Sequence, residues 1–479
     1  MAQSERNALV RALGWKDILA LSFGTMIGWG WIMLAGKWIA EAGVWGAVLA
    51  FAIGAVLCIF VGLTYAELTP ALPLSGGELV FSYRGLGYHA SWLTGWMITF
   101  AYVGVAAWEG PALATAIDYL IPVTRVGFLW QVAGFDVYIS WVLIGSVGGL
   151  FLAVVNYLGV KSSAIFQITA TTAMAIGGVC FLIGGAVNGN LGNMIPPITT
   201  TTGLVAVLMM VPAMFVGFDV IPQAAEEMHL PLNKIAGVLI LSICLAAAWY
   251  MLMIIGIALA APPDVRDSFS VPGKIPVADS FAYCMDSPAF GKLMIITGLC
   301  GILTSWNGFI VGATRVLFGM GRAKMLPEVF GKVHPKYHTP YAAIILVGII
   351  TCASPLLGRT SLVWFVDASA FGTVIAYFMV ALSFLALRKN EPGLARPYKV
   401  SNGTLVGWLA TAVAAFFLYL YLPVGPGALV AEEWYMVFGW AALGVVMYFM
   451  AQAKYGDTSI KEREYLMFGN EYARADRMK

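Results

Sequence analysis

A chain of 479 residues that is 60% hydrophobic and only 11% charged is not a soluble globular domain of that size. Its mean hydropathy of +0.83 points to the lipid bilayer as solvent. The net charge of +2 is uninformative as a sum, and no nucleic-acid partner is expected.

The six cysteines are scattered singly, with no C-x-x-C pair. Neither a disulfide framework nor a zinc site is expected, and no cofactor is implied. The four histidines fall in polar connections. No His/Asp cluster or nucleophile constellation suggests an enzyme.

Residues 1–16 are polar and lack a small-residue cleavage site, so the first apolar run is expected to stay as a helix. Apolar segments follow at roughly 17–38, 44–70, 89–120, 137–156, 162–187, 203–227, 234–260, 288–320, 340–357, 361–387, 403–422 and 434–454. Each is near the length a bilayer demands. The reading is an all-α polytopic membrane protein of about 12 transmembrane helices. Alternating short strands are absent, which excludes an outer-membrane barrel.

Placing both termini in the cytoplasm puts all but six of the 27 Lys and Arg on that side. The exceptions are Lys37, Arg125, Arg266, Lys274, Lys292 and Arg359. That asymmetry predicts a multi-pass protein of the cell membrane with cytoplasmic tails at 1–16 and 455–479. The longest outer loop, 261–288, is expected to shape an entrance.

Two spans are interrupted. Span 1 reads Gly24-Thr25-Met26-Ile27-Gly28-Trp29-Gly30-Trp31. Glycines permit non-helical backbone, which survives at membrane depth only around a cavity or inside protein. A small-residue packing face is the alternative. Span 6 brackets Phe215-Val216-Gly217-Phe218-Asp219 between Pro212 and Pro222, with Asp219 placed to cap a new half-helix. Breaks at corresponding positions of two halves point to an inverted-repeat transporter. Amides near Gly28 and Trp29 would receive a carboxylate. Carbonyls near Phe23 to Thr25 and Phe215 to Gly217 would accept an ammonium. Thr25 could add a hydroxyl, and Phe215 or Phe218 a gate.

Four ionisable residues lie inside spans, where they are costly. Asp219 is nearest the site and is a candidate proton group. Glu109 either neutralises a cationic ligand or bonds backbone freed by Pro111. Asp367 is read as a gate or helix contact, and Glu67 as structural. Trp29, Trp31, Trp108 and Trp306 sit at mid-depth, where they could box an amine.

The chain resembles the amino acid–polyamine–organocation permease superfamily. The resemblance rests on the span-1 stretch, Tyr65-Ala66-Glu67-Leu68, Ser75-Gly76-Gly77-Glu78, Gly217-Phe218-Asp219 with Ala225-Glu226-Glu227, Ser305-Trp306-Asn307-Gly308 through Arg315 to Leu326-Pro327, Lys332 to Tyr337, and Arg396 to Val400. It implies a LeuT-type fold: five-helix repeats at 17–187 and 203–387, two further helices at 403–454, and broken helices 1 and 6. It also implies alternating access by a secondary transporter of amino acids. It places the substrate at the two breaks. With the residue reading above, the candidate substrate site comprises Thr25, Met26, Ile27, Gly28, Trp29, Gly30, Trp108, Glu109, Phe215, Gly217, Phe218 and Trp306. Trp29 and Trp31 stand where the family often has smaller side chains. A transporter of a small amine or polyamine, held by Glu109 and the tryptophans, is the alternative.

Many proton-coupled members place a Lys seven residues after the Gln of a similar span-5 segment; counting from Gln167 gives Met174 here. That departure leaves two coupling ions open. A proton would use Asp219; sodium would use Thr304 and Ser305 with carbonyls near Gly24 and Ile27. Monomer and homodimer are both left open.

Overall fold

The structure, a computed structural model, describes residues 9–122, 125–269 and 274–472. The terminal basic residues Arg6, Arg474, Arg477 and Lys479 of the charge asymmetry lie outside these. Nine helices among the described residues are long and apolar enough to cross a membrane. A tenth crossing is the bent pair Trp15–Met26 and Gly30–Ala42, which is span 1.

One of the nine, Tyr341–Asn390, is 50 residues long. At 1.5 Å per residue that is about 75 Å, about two and a half times a bilayer core. It is interrupted at Ser354–Leu357, after which Gly358 takes φ +72°. Dividing it there gives spans 9 and 10. Thr201–Met214 is a shorter apolar helix and forms the start of span 6. The remaining spans are Val44–Ala71, Tyr88–Leu120, Ile139–Tyr157, Val160–Asn188, Leu232–Ala260, Pro288–Arg322, Gly403–Tyr421 and Ala431–Tyr455. The protein is an all-α polytopic membrane protein, as the hydropathy pattern predicts. Spans 3 and 8 are its centre: 83% and 78% of their apolar windows are buried, against 17% for span 12 at the periphery.

Two features depart from the sequence reading. A small antiparallel hairpin, Phe128–Val132 with Phe135–Tyr138, lies between spans 3 and 4. Its two-residue turn, Ala133-Gly134, has positive φ at both positions, which suits the twist of a tight hairpin. The second half of span 6 is also not a membrane-length half-helix. It is one α-turn, Val220–Gln223, then a 3-10 turn, Ala225–Glu227.

That short segment is held by ion pairs instead of helix length. Glu227 makes a two-pronged contact with Arg315 of span 8, at 2.9 and 3.1 Å, and both side chains are buried. Glu226 accepts from Arg322 at 2.9 Å and from the Ser75 amide at 3.2 Å. The N-terminal segment joins the same assembly through Ala12 and Leu13 amides on the Glu227 carbonyl. Further along this end, Glu67 is gripped by Arg388 and Arg396, and Arg84 by Glu391. The structural role read for Glu67 is this contact. The helix Ile460–Tyr472 docks here too, with Lys324 on Glu462 at 2.7 Å.

The opposite end is covered by the loop helix Pro276–Cys284. Tyr119 of span 3 donates to Asp279 at 2.8 Å, and Phe281 packs edge-on against Phe181 at 5.1 Å. Within the 261–288 loop, the helix Pro276–Cys284 is therefore a cover over the bundle. Asp367 of span 10 lies beside Glu433 of span 12, a helix contact.

Removing one member of a buried pair leaves the other charge unsolvated. Glu227→Ala is expected to cost about 3–5 kcal/mol, read as a lower thermal unfolding temperature of the full chain in detergent. Glu462→Ala, at a half-exposed pair, is expected to cost less than about 1 kcal/mol.

Candidate functional site

Span 1 stops being helical at Ile27, whose amide still bonds Phe23 O, and resumes at Gly30 with a 49° bend. The break thus falls at Ile27–Trp29. Among the described residues, the amides of Gly28 and Trp29 meet no hydrogen-bond acceptor. Those of Gly30 and Trp31 open a helix, where the first amides lack intrahelical partners.

Span 6 stops at Met214, and Gly217 takes φ +133°. A Cβ there would sit 2.8 Å from Met26 N and 3.0 Å from Thr25 C. The two breaks are in direct contact, and only glycine permits it. Tyr250 of span 7 joins them further. Its hydroxyl lies 2.8 Å from Met26 O and 3.1 Å from Met214 O, the carbonyl ends of both first halves. Sequence reasoning missed Tyr250, since one tyrosine in an apolar span carries no motif.

Glu109 faces this junction. It is 2% exposed, and its Oε1 is 3.5 Å from where a Gly28 Cβ would be. Ser305 Oγ is 3.0 Å from the same point. Glu109 Oε2 has no hydrogen-bond partner. The alternative role, bonding backbone freed by Pro111, belongs to another residue: Ala107 O, four positions before Pro111, accepts from Ser354 at 2.7 Å. Glu109 is left free to address the break.

Other candidates are placed differently. Thr25 is buried, and its hydroxyl donates back to Leu21 O, so it offers no free donor. Met26 and Ile27 are buried at the junction. Phe215 is fully buried against Tyr250 at 6.0 Å. Phe218 turns away, packing on Tyr65 at 5.3 Å and Tyr377 at 5.4 Å. Asp219 does not cap the segment that follows. Its Oδ1 accepts from the preceding Gly217 amide at 2.7 Å, and its Oδ2 from Tyr102 at 2.7 Å. The break itself is what the carboxylate holds.

The tryptophans form no box. Trp29 lies against Gly298, Trp31 edge-on to Trp249, and Trp306 over Gly148 and Gly149. Trp108 is half-buried under the Arg359 guanidinium, 5.8 Å from its ring. No ring pair among the described residues joins two of these four.

Behind Gly24, where a span-5 cation would touch span 1, stands a neutral amide. Gln167 Nε2 donates to Ala20 O of span 1 and Thr304 O of span 8, both at 3.2 Å. Gln167 Oε1 accepts from Asn307, whose own oxygen accepts from Asn156 and Ser163. Met174 is buried beyond this network. Thr304 Oγ1 donates to Gly301 O in its own helix, and Ser305 faces Glu109, so the two hydroxyls do not converge. No cluster of three His, Cys, Asp or Glu that could hold a metal occurs among the described residues.

Gly217→Ala forces a side chain into the junction at a φ costly for any other residue. It is expected to destabilise the full chain by about 1–3 kcal/mol in thermal unfolding. Tyr250→Phe, which removes only the bridge, is expected to cost about 0.5–1.5 kcal/mol.

Comparison with known proteins places the chain in a family. The model of the family described as amino acid permease matches residues 13–447. A branched-chain amino acid permease of Bacillus subtilis is 28% identical over 95% of this chain and 96% of its own length. A methylthioribose transporter of the same organism is 24% identical over the same shares. The human cationic amino acid transporter 4 is 27% identical over 81% of this chain and 61% of its own length. These relatives are transporters, not enzymes. The chain belongs to the amino acid permease family of the amino acid–polyamine–organocation superfamily.

Proposed function

We propose that the protein is a secondary active transporter that moves an α-amino acid across the cytoplasmic membrane by alternating access. The observation that carries this is the pair of unpaired amides at Gly28 and Trp29, set beside a buried carboxylate with a free oxygen. Helix-start amides suit a carboxylate and Glu109 suits an ammonium, so one α-amino acid satisfies both. The contact of the two breaks supports two inverted repeats, 17–187 and 203–387, rocking about this point. Both described terminal segments dock at the end that carries Arg84, Arg322, Lys324, Arg388 and Arg396. That supports cytoplasmic termini.

The proton is the coupling ion in this reading. The two hydroxyls offered for sodium are engaged within the protein, Thr304 on Gly301 O and Ser305 on Glu109, and a neutral Gln167 fills the span 1–span 8 gap. A second reading is favoured by one observation: Glu109 Oε2 is buried without a partner. A substrate cation would satisfy it, so a cationic amino acid or an amine without a carboxylate is the competing cargo. The relatives' names span both neutral and cationic amino acids and a sugar derivative, and a shared fold does not choose among them.

Uptake into proteoliposomes of the full chain tests these points. L-Leucine and L-arginine are expected to be taken up and to outcompete putrescine; the reverse order would move the function to amines. An inward proton gradient is expected to drive accumulation and a sodium gradient alone is not. Glu109→Gln is expected to weaken L-arginine competition about ten- to a hundredfold, the scale of a lost charge-assisted hydrogen bond.

A further inference from the structure

Below the span-6 break lies a second carboxylate. Glu78 opens the short helix Glu78–Leu86 in the connection between spans 2 and 3. It is fully buried, and one of its oxygens, Oε2, accepts from the Gln223 amide. Gln223 Nε2 also lies 3.4 Å from the Tyr102 hydroxyl, which donates to Asp219 at 2.7 Å. Asp219 is fully buried too. Glu78, Gln223, Tyr102 and Asp219 are thus one continuous chain of polar groups.

No cation balances them. Among the described residues, neither carboxylate has a Lys or Arg within ion-pair distance. The basic groups of the neighbouring elements are committed elsewhere: Arg315 and Arg322 of span 8 to Glu227 and Glu226, and Arg84 of the short helix to Glu391. What faces the pair is neutral: Tyr65 from span 2, Tyr102 from span 3 and Tyr377 from span 10. Two ionised carboxylates so placed would repel without solvent to screen them. The hydrogen-bond count agrees. Gln223 Oε1 is a buried acceptor without a donor, and the other hydrogen-bonding neighbours of the pair are the Tyr65 hydroxyl on Glu78 and the Tyr377 hydroxyl on Asp219. One added proton supplies the missing donor.

We propose that Glu78 and Asp219, bridged by Gln223 and Tyr102, form a two-carboxylate site that binds a single proton, the one coupled to transport. This rests on the proton-coupled reading above and adds the residue that completes it. Burial, with the Asp219 charge adding to it, holds the Glu78 carboxyl well above the usual carboxylate range. The site is also placed to discharge. Asp219 holds the Gly217 amide, and Ser75, three residues before Glu78, bonds Glu226, three residues after Gln223. Opening this end of the bundle parts Glu78 from Gln223 and exposes its carboxyl to water. The carboxylic acid then gives its proton to water, leaving the carboxylate solvated.

Infrared difference spectra of the full chain in membranes test this without any substrate. In a background carrying Glu109→Gln and Asp367→Asn, which removes the other buried carboxyls beside the bundle core, a protonated-carboxyl band is expected at neutral pH, lost in Glu78→Gln and retained in Glu78→Asp. Absence of that band in the parent, or its persistence in Glu78→Gln, overturns the proposal. In proteoliposomes, Glu78→Gln is expected to lose the extra L-leucine or L-arginine accumulation driven by a pH gradient while keeping counterflow exchange. Gradient-driven accumulation at the parent level in Glu78→Gln also overturns it. Loss of counterflow in the parent protein would instead overturn the amino acid assignment and leave the infrared test of the pair standing.

Discussion

The structure depends on the contact between two helix breaks. Gly217 packs its bare Cα against the Thr25–Met26 peptide, and the Tyr250 hydroxyl sits between the carbonyl ends of both first halves. Broken backbone inside a bilayer is affordable only when other protein groups take up what the helices release. Here each break is the other's lining. What neither can satisfy, the amides of Gly28 and Trp29, is what remains for a ligand. The site is therefore a residue of the helix-breaking itself, and few polar side chains need to be added.

Charged side chains do a different job. Glu67, the adjacent Glu226 and Glu227, Arg315, Arg322 and Arg396 come from distant parts of the chain, but the fold makes them partners at one end of the bundle. A four-residue turn of helix, Val220–Gln223, has little stability of its own. The pairs Glu226–Arg322 and Glu227–Arg315 fix it to span 8. Because the same glutamates also hold the Ser75 amide and the N-terminal segment, this end closes as a unit.

Between these layers lie neutral polar groups where charge would be expected. Gln167 spans the gap from Ala20 O to Thr304 O with one amide. An amide can donate to two carbonyls without the desolvation cost of an ammonium. Its own oxygen is then satisfied by Asn307, and that residue by Asn156 and Ser163, so the chain of amides ends with its main links paired. The carboxylates Glu109, Glu78 and Asp219 are left as the buried acids near the breaks that no basic side chain answers.

Hydropathy and glycine placement determined a great deal without coordinates: the polytopic α-helical class, the spans, and the two breaks at Gly28 and Gly217. These are local properties, since a bilayer demands a run of apolar residues and a break demands residues that tolerate lost hydrogen bonds. Glu109 and Asp219 were legible for a related reason, because an acid inside an apolar run stands out. The hairpin at 128–138 was not read, and its Ala133-Gly134 turn is a weak signal. The tryptophans misled, because depth along a span does not say which way a ring points. Tyr250, Gln167, Gln223 and Glu78 acquire their roles only from residues more than 100 positions away in most cases. A hydrogen bond is set by direction and distance between groups the chain brings together last, so only the tertiary structure decided which polar side chains meet at the breaks.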